Sequence, residues 1–192
     1  MRKICIIAVV SLLAINTYGQ TFLGFKGSFN ISGLTSGSSK SRPGFDVGAI
    51  LLTPISDSWY FHPGFLFSLN GTKSSDTYNP HYSASFYSIE TPLLLSYRLG
   101  DEEISFGFDA GVFARYGLFG SYWTDTNEGR VKPDIFDYQK RFDFGPQVGM
   151  SVIANNMYMA CGLQYGVLKP WDHLRGRYLN YSVSFGYLFE LY

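Results

Sequence analysis

The sequence lacks an excess of either charge and is poor in charged residues altogether. It contains 15 Lys and Arg residues against 15 Asp and Glu residues, and these four types make up 16% of the 192 residues. A globular protein averages about 25% charged residues. This balance gives no indication of a nucleic-acid partner, because such a partner requires a basic surface.

Cysteine is nearly absent. The two cysteines are Cys5, which lies in the N-terminal leader described next, and Cys161. An exported chain that keeps one cysteine forms no internal disulfide. Cys161 falls among the apolar residues of its segment, so we predict that it is a small hydrophobe facing lipid.

Long hydrophobic runs are absent beyond the N-terminus. There, a basic start precedes a mostly apolar run, Ile4 to Ile15, and Thr17-Tyr18-Gly19 resembles a signal-peptidase site. We therefore predict a signal peptide over residues 1–19 and a mature domain over residues 20–192. The apolar run is too short to span a bilayer as a helix, and no later segment reaches the roughly 18 apolar residues required.

Aromatic residues and glycine are plentiful, with 17 Phe, 15 Tyr and 21 Gly, and they alternate along the chain. In Arg141–Val167 apolar residues occupy one parity and small or polar residues the other, interrupted by Asn155-Asn156. Alternation with period two is typical of a strand with one apolar face. Asn accepts the positive φ that a two-residue turn requires. The segment predicts a hairpin whose strands, at roughly ten residues or more, can cross a bilayer.

The same unit repeats along the mature chain. The predicted strands are 21–31, 43–53, 59–70, 84–99, 104–118, two within 141–167, and 177–191. Short turns alternate with long loops, which we place at 32–42, 71–83, 120–140 and 169–176. Outer-membrane barrels show this alternation, with short periplasmic turns and long extracellular loops. We predict an all-β, eight-stranded antiparallel up-and-down transmembrane β-barrel with periplasmic termini and a lumen filled by side chains.

Three prolines fall inside predicted strands of this barrel: Pro63, Pro92 and Pro146. Proline has no N–H to donate to a neighbouring strand, and a closed barrel has no free edge to accommodate it. We therefore expect β-bulges or strand ends near these residues.

Several short segments resemble those of a known family. They are Phe25-Lys26-Gly27 with Asn30-Ile31-Ser32, Pro63 to Ser68, Ile89 to Leu95, Phe142 to Gly145, and Phe185 to Phe189. Together they resemble the PorT-like outer-membrane β-barrel proteins of the Bacteroidetes, over almost the whole mature chain. The resemblance implies an eight-stranded outer-membrane barrel that meets the barrel-assembly machinery through a terminal aromatic signal, here Tyr192. One member of that family is tied to protein secretion and gliding.

Eight charged residues fall on the parity predicted to face the lumen: Lys26, Asp46, Glu90, Arg98, Asp109, Arg115, Asp143 and Glu190. Charges in a narrow lumen are costly unless they are paired. We predict that they form a structural network of hydrogen-bonded ion pairs across the interior. A proton or ion path is the alternative.

The histidines offer little for chemistry. His62, His81 and His173 lie far apart without metal-ligand spacing, and no phosphate-binding glycine loop is present. We predict no metal and no cofactor. His81 near Ser83, or His173 beside Asp172, could imitate a membrane-embedded hydrolase or acyltransferase. Such an arrangement is recognised by geometry rather than by adjacency, and we predict that the protein is not an enzyme.

Three aromatic residues in the predicted loops are candidate contacts: Tyr122, Trp123 and Trp171. Exposed aromatics can anchor a partner, or they can belong to the girdle that a barrel places at each membrane interface. We predict a structural or interaction role through extracellular loops, in envelope integrity, adhesion or secretion. The expected partners are outer-membrane lipid and an envelope or secretion protein. An exported, soluble, lipocalin-like barrel that binds an apolar ligand is the alternative, and it would place aromatics inside and charges outside.

Overall fold

Antiparallel strands make up nearly all of the structure. The computed structural model describes residues 20–35, 39–74, 82–101, 103–126, 129–131, 134–137, 139–170 and 176–191. The strands are β1 (Thr21–Leu34), β2 (Ser39–Pro54), β3 (Trp59–Ser74), β4 (Tyr82–Gly100), β5 (Ile104–Thr126), β6 (Gly129–Val131), β7 (Phe142–Ala154), β8 (Met157–Tyr165) and β9 (Tyr178–Leu191). A 3₁₀ turn spans Ile135–Asp137. The predicted leader, residues 1–19, lies outside the described residues.

Eight of these nine strands close into a barrel. Each pairs with antiparallel neighbours in chain order, and β1 also pairs with β9, from Thr21↔Leu191 to Leu34↔Tyr178. The first and last strands therefore complete the ring. The short β6 pairs with the far end of β5. The predicted eight-stranded antiparallel up-and-down barrel is confirmed, with β6 as an addition that the sequence analysis missed.

Each barrel strand has an apolar outer face, and its inner face carries small and polar residues together with buried apolar side chains that gather in two clusters. On β1, Phe25 and Phe29 are 59% and 58% exposed, whereas Asn30 is fully buried. Neighbouring strands keep this parity in register, as in Phe25↔Ala49 and Asn30↔Gly44. Because successive side chains point to opposite faces, the outer surface becomes one continuous apolar band. This arrangement is the reverse of the one expected for a soluble, lipocalin-like barrel.

The short connections all lie at one end of the barrel, which we call the turn end: residues 55–58, 101–103 and 155–156. We call the opposite end the loop end. Asn155 and Asn156 have φ angles of 47° and 68°, as a type I′ turn requires. The Asn156 side-chain amide donates to the Leu188 carbonyl at 3.0 Å, and the Asn156 backbone carbonyl accepts from the Leu188 N–H at 2.9 Å. The predicted turn is confirmed and is tied to β9.

Aromatic side chains form two bands on the outer surface. Near the turn end Trp59 contacts Tyr97, with ring centroids 5.1 Å apart. Toward the loop end Tyr87 lies between Phe67 and Phe119, at 5.5 and 4.8 Å. Tyr97 follows Tyr87 by ten residues on β4, so a rise of about 3.3 Å and a tilt of about 40° separate the bands by about 25 Å. Outer-membrane barrels have an apolar band of this height. No described helix is long and apolar enough to span a membrane.

The strands at the loop end are longer than predicted. β2 begins at Ser39, β3 ends at Ser74 and β5 continues to Thr126, so much of the predicted loops is paired strand. The β2 and β3 extensions are polar on both faces, and the β5 extension, residues 119–126, shows no apolar alternation. Backbone pairing, as in Ser39↔Ser74, still makes them strands, because pairing does not depend on an apolar face.

The expectation of bulges at the prolines is wrong. Register shifts occur between Ser41 and Phe45 and between Tyr87 and Ser88, whereas the pairings around Pro63 and Pro92 keep one register. The β3–β4 ladder passes from Pro63↔Leu93 to Leu66↔Glu90 without a shift and omits the pairs between them. A missing N–H therefore removes individual bonds and not the register. Pro146 does lie at the end of one ladder, as expected: the pairing of β7 with β8 begins at the next residue, Gln147.

Asn156 gives a test of this turn. We expect Asn156→Ala to destabilise the barrel by about 1 kcal/mol more than Asn156→Gly. Both variants lose the side-chain bond to Leu188, but glycine tolerates the positive φ and alanine does not. Urea unfolding in detergent micelles, followed on gels by the loss of the heat-modifiable folded band, measures the difference. Equal loss in the two variants would contradict the assigned turn geometry.

Candidate functional site

The centre of the lumen holds a buried ion pair. Arg115 on β5 donates to Glu90 on β4 through Nε at 2.9 Å and Nη2 at 2.7 Å, and each side chain is 2% exposed. Gln164 on β8 accepts from Arg115 at 2.9 Å and donates to the second Glu90 oxygen. Gln147 and Asn180 bond to Gln164 at 3.0 and 3.1 Å. We call these five residues the central network; it joins opposite walls and fills the middle of the barrel.

Smaller polar pairs line the wall beside the central network. Asn30 donates to Asp46 at 2.7 Å, and the hydroxyl oxygens of Ser28 and Ser184 lie 2.8 Å apart. These short side chains bring their strands' inner faces together without leaving a channel. The cavity beside Lys26 and His62 has a volume of about 20 Å³, and the one beside Phe86 and Tyr178 has a volume of about 10 Å³. Each has room for about one water molecule at most.

A second polar pair lies nearer the turn end. His62 Nδ1 is 3.2 Å from Asp109 Oδ1, and both side chains are buried. The ring of Tyr158 meets His62 edge to face at 5.9 Å. Tyr158 belongs in turn to an apolar cluster with Ile50, Leu52 and Leu188. His62 is therefore a buried residue inside the lumen with a carboxylate partner, and it does not lie at either open end of the barrel.

An apolar plug closes the loop end. The 3₁₀ turn Ile135–Asp137 lies in the barrel mouth and buries Ile135 against Leu34, Ala84, Phe86 and Tyr178, with Phe136 packed beside it. Gly117 and Gly120 on β5 make room: a Cβ at Gly117 would overlap the Phe136 ring, and one at Gly120 would lie 2.6 Å from Ile135. Arg141 holds the plug from outside, 4.5 Å from the Phe136 ring centroid and 2.7 Å from the Leu118 carbonyl.

The charged residues predicted for the lumen occupy three kinds of environment. Glu90 and Arg115 pair with each other. Asp46, Asp109 and Asp143 are buried against Asn30, His62 and the N–H groups of Phe144 and Leu168, respectively. Lys26 lies beside His62 and Asp109 at one of the small cavities. The hydrogen-bond partners of the three aspartates are thus Asn30, His62 and backbone N–H groups.

Two of the predicted lumen charges stand apart. Glu190 is exposed at the turn end and lines the cavity there, so it is not part of a buried network; its position on β9, opposite Phe22 on β1, lies at the open mouth of the barrel. Arg98 is buried, but its guanidinium has no hydrogen-bond partner, and it lies 6.0 Å from the Tyr60 ring centroid. The sequence analysis missed Asn30, His62, Gln164 and Asn180, although their inward parity could have revealed them.

Two of the three candidate contact residues, Tyr122 and Trp123, lie on a strand that projects beyond the rest of the barrel. β5 pairs with β7 as far as Tyr116↔Phe142 but continues along β4 to Thr124↔Tyr82. These further residues, 117–124, extend about 25 Å along the strand. β6 and the Ser121↔Asp134 bridge cover part of their free edge. We call this projection, residues 82–87, 117–126 and 129–131, the wall.

The extension of β5 contains two of the aromatic residues that were predicted to lie in loops. The backbones of Tyr122 and Trp123 lie in β5, paired with Ala84 and Ser83, and not in an irregular loop as expected. They stand beyond the Tyr87–Phe119 contact, on the loop side of the outer aromatic band. Trp171 lies outside the described residues, as do His81 and His173, so the hydrolase-like pairings are not described.

The central network gives a double-mutant test. We expect Arg115→Met to destabilise the barrel by about 3–5 kcal/mol, because it leaves the Glu90 carboxylate buried without its charge partner. Combining it with Glu90→Gln should recover much of that loss. Urea unfolding in micelles, followed by circular dichroism, measures each variant, with the exposed Asp57→Asn as the control. A double variant that loses the sum of both single effects would contradict the pairing.

Comparisons with known structures agree with the fold. Ail, the attachment invasion locus protein of Yersinia pestis, aligns at 14% identity over 89% of this chain and 100% of that chain, with a TM-score of 0.51. OprG of Pseudomonas aeruginosa aligns at 12% identity over 90% and 97%, with a TM-score of 0.49. Neisserial surface protein A aligns at 14% identity over 89% and 99%, with a TM-score of 0.46. At these identities the likeness concerns the fold alone, and of the three it is the Ail structure, with a TM-score above 0.5, that supports the barrel.

A family comparison gives the identity that the fold comparisons do not. A search of curated proteins finds no significant match. The profile described as outer membrane protein beta-barrel domain matches residues 18–168, which is most of the chain. Together with the apolar band and the closed ring, this places the protein in the bacterial outer membrane. The chain belongs to the outer membrane protein β-barrel domain family.

Proposed function

We propose that this protein is a PorT-like surface scaffold of the outer membrane, which binds a protein partner of the envelope or of secretion through the wall. The observation that carries the proposal is the closed lumen. The central network and the apolar plug block the barrel in series, so a role in passive transport has no path. The function must then reside on the surfaces, and the wall is the largest extension of the barrel beyond the membrane band.

The construction of the wall supports this role. An extended strand with a free edge invites uncontrolled pairing with other chains. Here the edge of β5 is covered by β6 and by the returning chain around Asp134, while the plug packs on the wall's inner side through Ile135. The barrel therefore presents a supported sheet instead of a loose loop. Ail carries a heparin analogue in its crystal structure, but the proposal for this chain depends on the wall and not on that ligand.

A second surface feature favours outer-leaflet lipid as a further partner. Lys40 and Lys73 face each other across β2 and β3, and both are exposed. Since Thr72 is buried on the inner face, Lys73 and its partner point outward, above the outer aromatic band. Like charges directly opposite are unfavourable unless an anion lies between them. Phosphate groups of the outer-leaflet lipid supply that anion at this height.

Because the lumen is closed, we predict that the protein does not conduct ions. We expect the purified protein in planar bilayers to show no steady conductance, and Ile135→Gly combined with Phe136→Gly to remain silent, because the central network still blocks the barrel. Single-channel recording tests both proteins. A stable channel in the unaltered protein would contradict the scaffold role.

The wall gives a site-specific prediction. A photo-crosslinking residue at Tyr122 or Trp123 should yield one discrete protein adduct in intact cells, since the wall is the proposed contact. The controls carry the same photo-crosslinking residue in place of Asp57, on a turn, or in place of Phe65, on the lipid-facing surface of β3. The proposal fails if the adduct forms from Asp57 and not from the wall, or if the wall positions yield only lipid.

The lysine pair gives a separate prediction. Lys40→Gln with Lys73→Gln should reduce copurifying lipid A and lower the unfolding temperature in bilayers that contain it, because two phosphate-binding cations are lost. In zwitterionic detergent the unfolding temperature should not change. Asp137→Asn is the charge-changing control at the same end. An equal decrease in detergent would show a structural role for the lysines.

A further inference from the structure

A cavity opens at the turn end, opposite the wall. Its volume is about 650 Å³, and its lining includes the turns at Ser56, Asp57 and Asp101 and the barrel ends at Gln20 and Glu190. It reaches inward to Tyr60 and Arg98. The short turns put this end on the periplasmic side, so the cavity faces a different compartment from the wall.

Arg98 is the unusual member of the lining. Its side chain is 7% exposed, and its three guanidinium nitrogens have no hydrogen-bond partner. The described residues show no ion pair to Arg98, and the Asp109 carboxylate, which acts on Arg98 electrostatically, bonds to His62 instead. A buried guanidinium presents five N–H groups in a planar fork that matches a carboxylate. Leaving it unpaired is strongly unfavourable, which indicates that a ligand group completes the site.

The remaining lining restricts the chemical class of that ligand. The walls beside Arg98 include the apolar side chains of Leu52, Ile153 and Leu188. The exposed charged residues at the mouth are all acidic: Asp57, Asp101 and Glu190. One deep cation suits one anionic group, apolar walls suit an aliphatic body, and an acidic mouth repels polyanions while attracting a cation. We propose that the cavity binds a small zwitterion, namely an amino acid or short peptide whose single carboxylate pairs with Arg98.

Matched ligands test each part of this proposal on the purified barrel in nanodiscs. Glycyl-leucine is the probe, and binding is followed by NMR of the Arg98 side chain and by calorimetry. Glycyl-leucinamide lacks the carboxylate and should bind about tenfold more weakly or not at all. Acetyl-glycyl-leucine lacks the cationic amine and should also bind more weakly, as should inorganic phosphate.

Two variants complete the test. Arg98→Gln should abolish binding, with folding checked by heat-modifiability. Ser105→Trp, which fills the cavity and leaves Arg98 in place, should do the same if Arg98→Gln does not fold. The proposal is overturned if glycyl-leucine does not saturate the protein, if the amide binds equally, or if Arg98→Gln binds as the unaltered protein does. Tighter binding of phosphate or of the acetylated peptide would overturn the zwitterionic class.

Discussion

The structure depends on one constraint: no backbone N–H or C=O can face hydrocarbon without a partner. Pairing of β1 with β9 satisfies it by closing the ring. Closure then dictates the remaining arrangement. The alternating side chains must divide between lipid and a narrow interior, and the interior must accept whatever polar groups fall on its parity. The ion pair of Glu90 and Arg115 follows from that division, because both residues lie on inward positions of adjacent strands in the same register.

The interior is therefore best understood as layers stacked along the barrel axis. An apolar cluster around Tyr158 lies near the turn end, the central network fills the middle, and the plug around Ile135 closes the loop end. Each layer spans the lumen by contacts between side chains from different strands. The layers brace the barrel from within. The two ends differ in kind: one carries a supported sheet, and the other a cavity with a single unpaired cation.

Sequence periodicity was sufficient for the parts of the fold that depend on local rules. Parity identified the lipid-facing residues, and Asn155-Asn156 identified its turn, because strand alternation and positive φ are properties of neighbouring residues. The β5 extension was missed because its pairing with β4 is not accompanied by an apolar period. The His62–Asp109 contact and the Ile135 plug join residues distant in sequence, so only the three-dimensional arrangement reveals them. The lack of a hydrogen-bond partner for Arg98 could not be predicted either, because parity shows which residues face the lumen and not which of them lie close together along its axis.

The strands differ greatly in length around the ring. β8 has 9 residues and β7 has 13, whereas β4 and β5 have 19 and 23. A tilted strand of about 9–11 residues is just long enough for the hydrocarbon core. One side of the cylinder thus matches the bilayer with nothing to spare, and the other overshoots it. Because the extra residues of β4 and β5 lie beyond the hydrocarbon core, the barrel projects farther from the membrane on the flank of β4 and β5 than on the flank of β7 and β8.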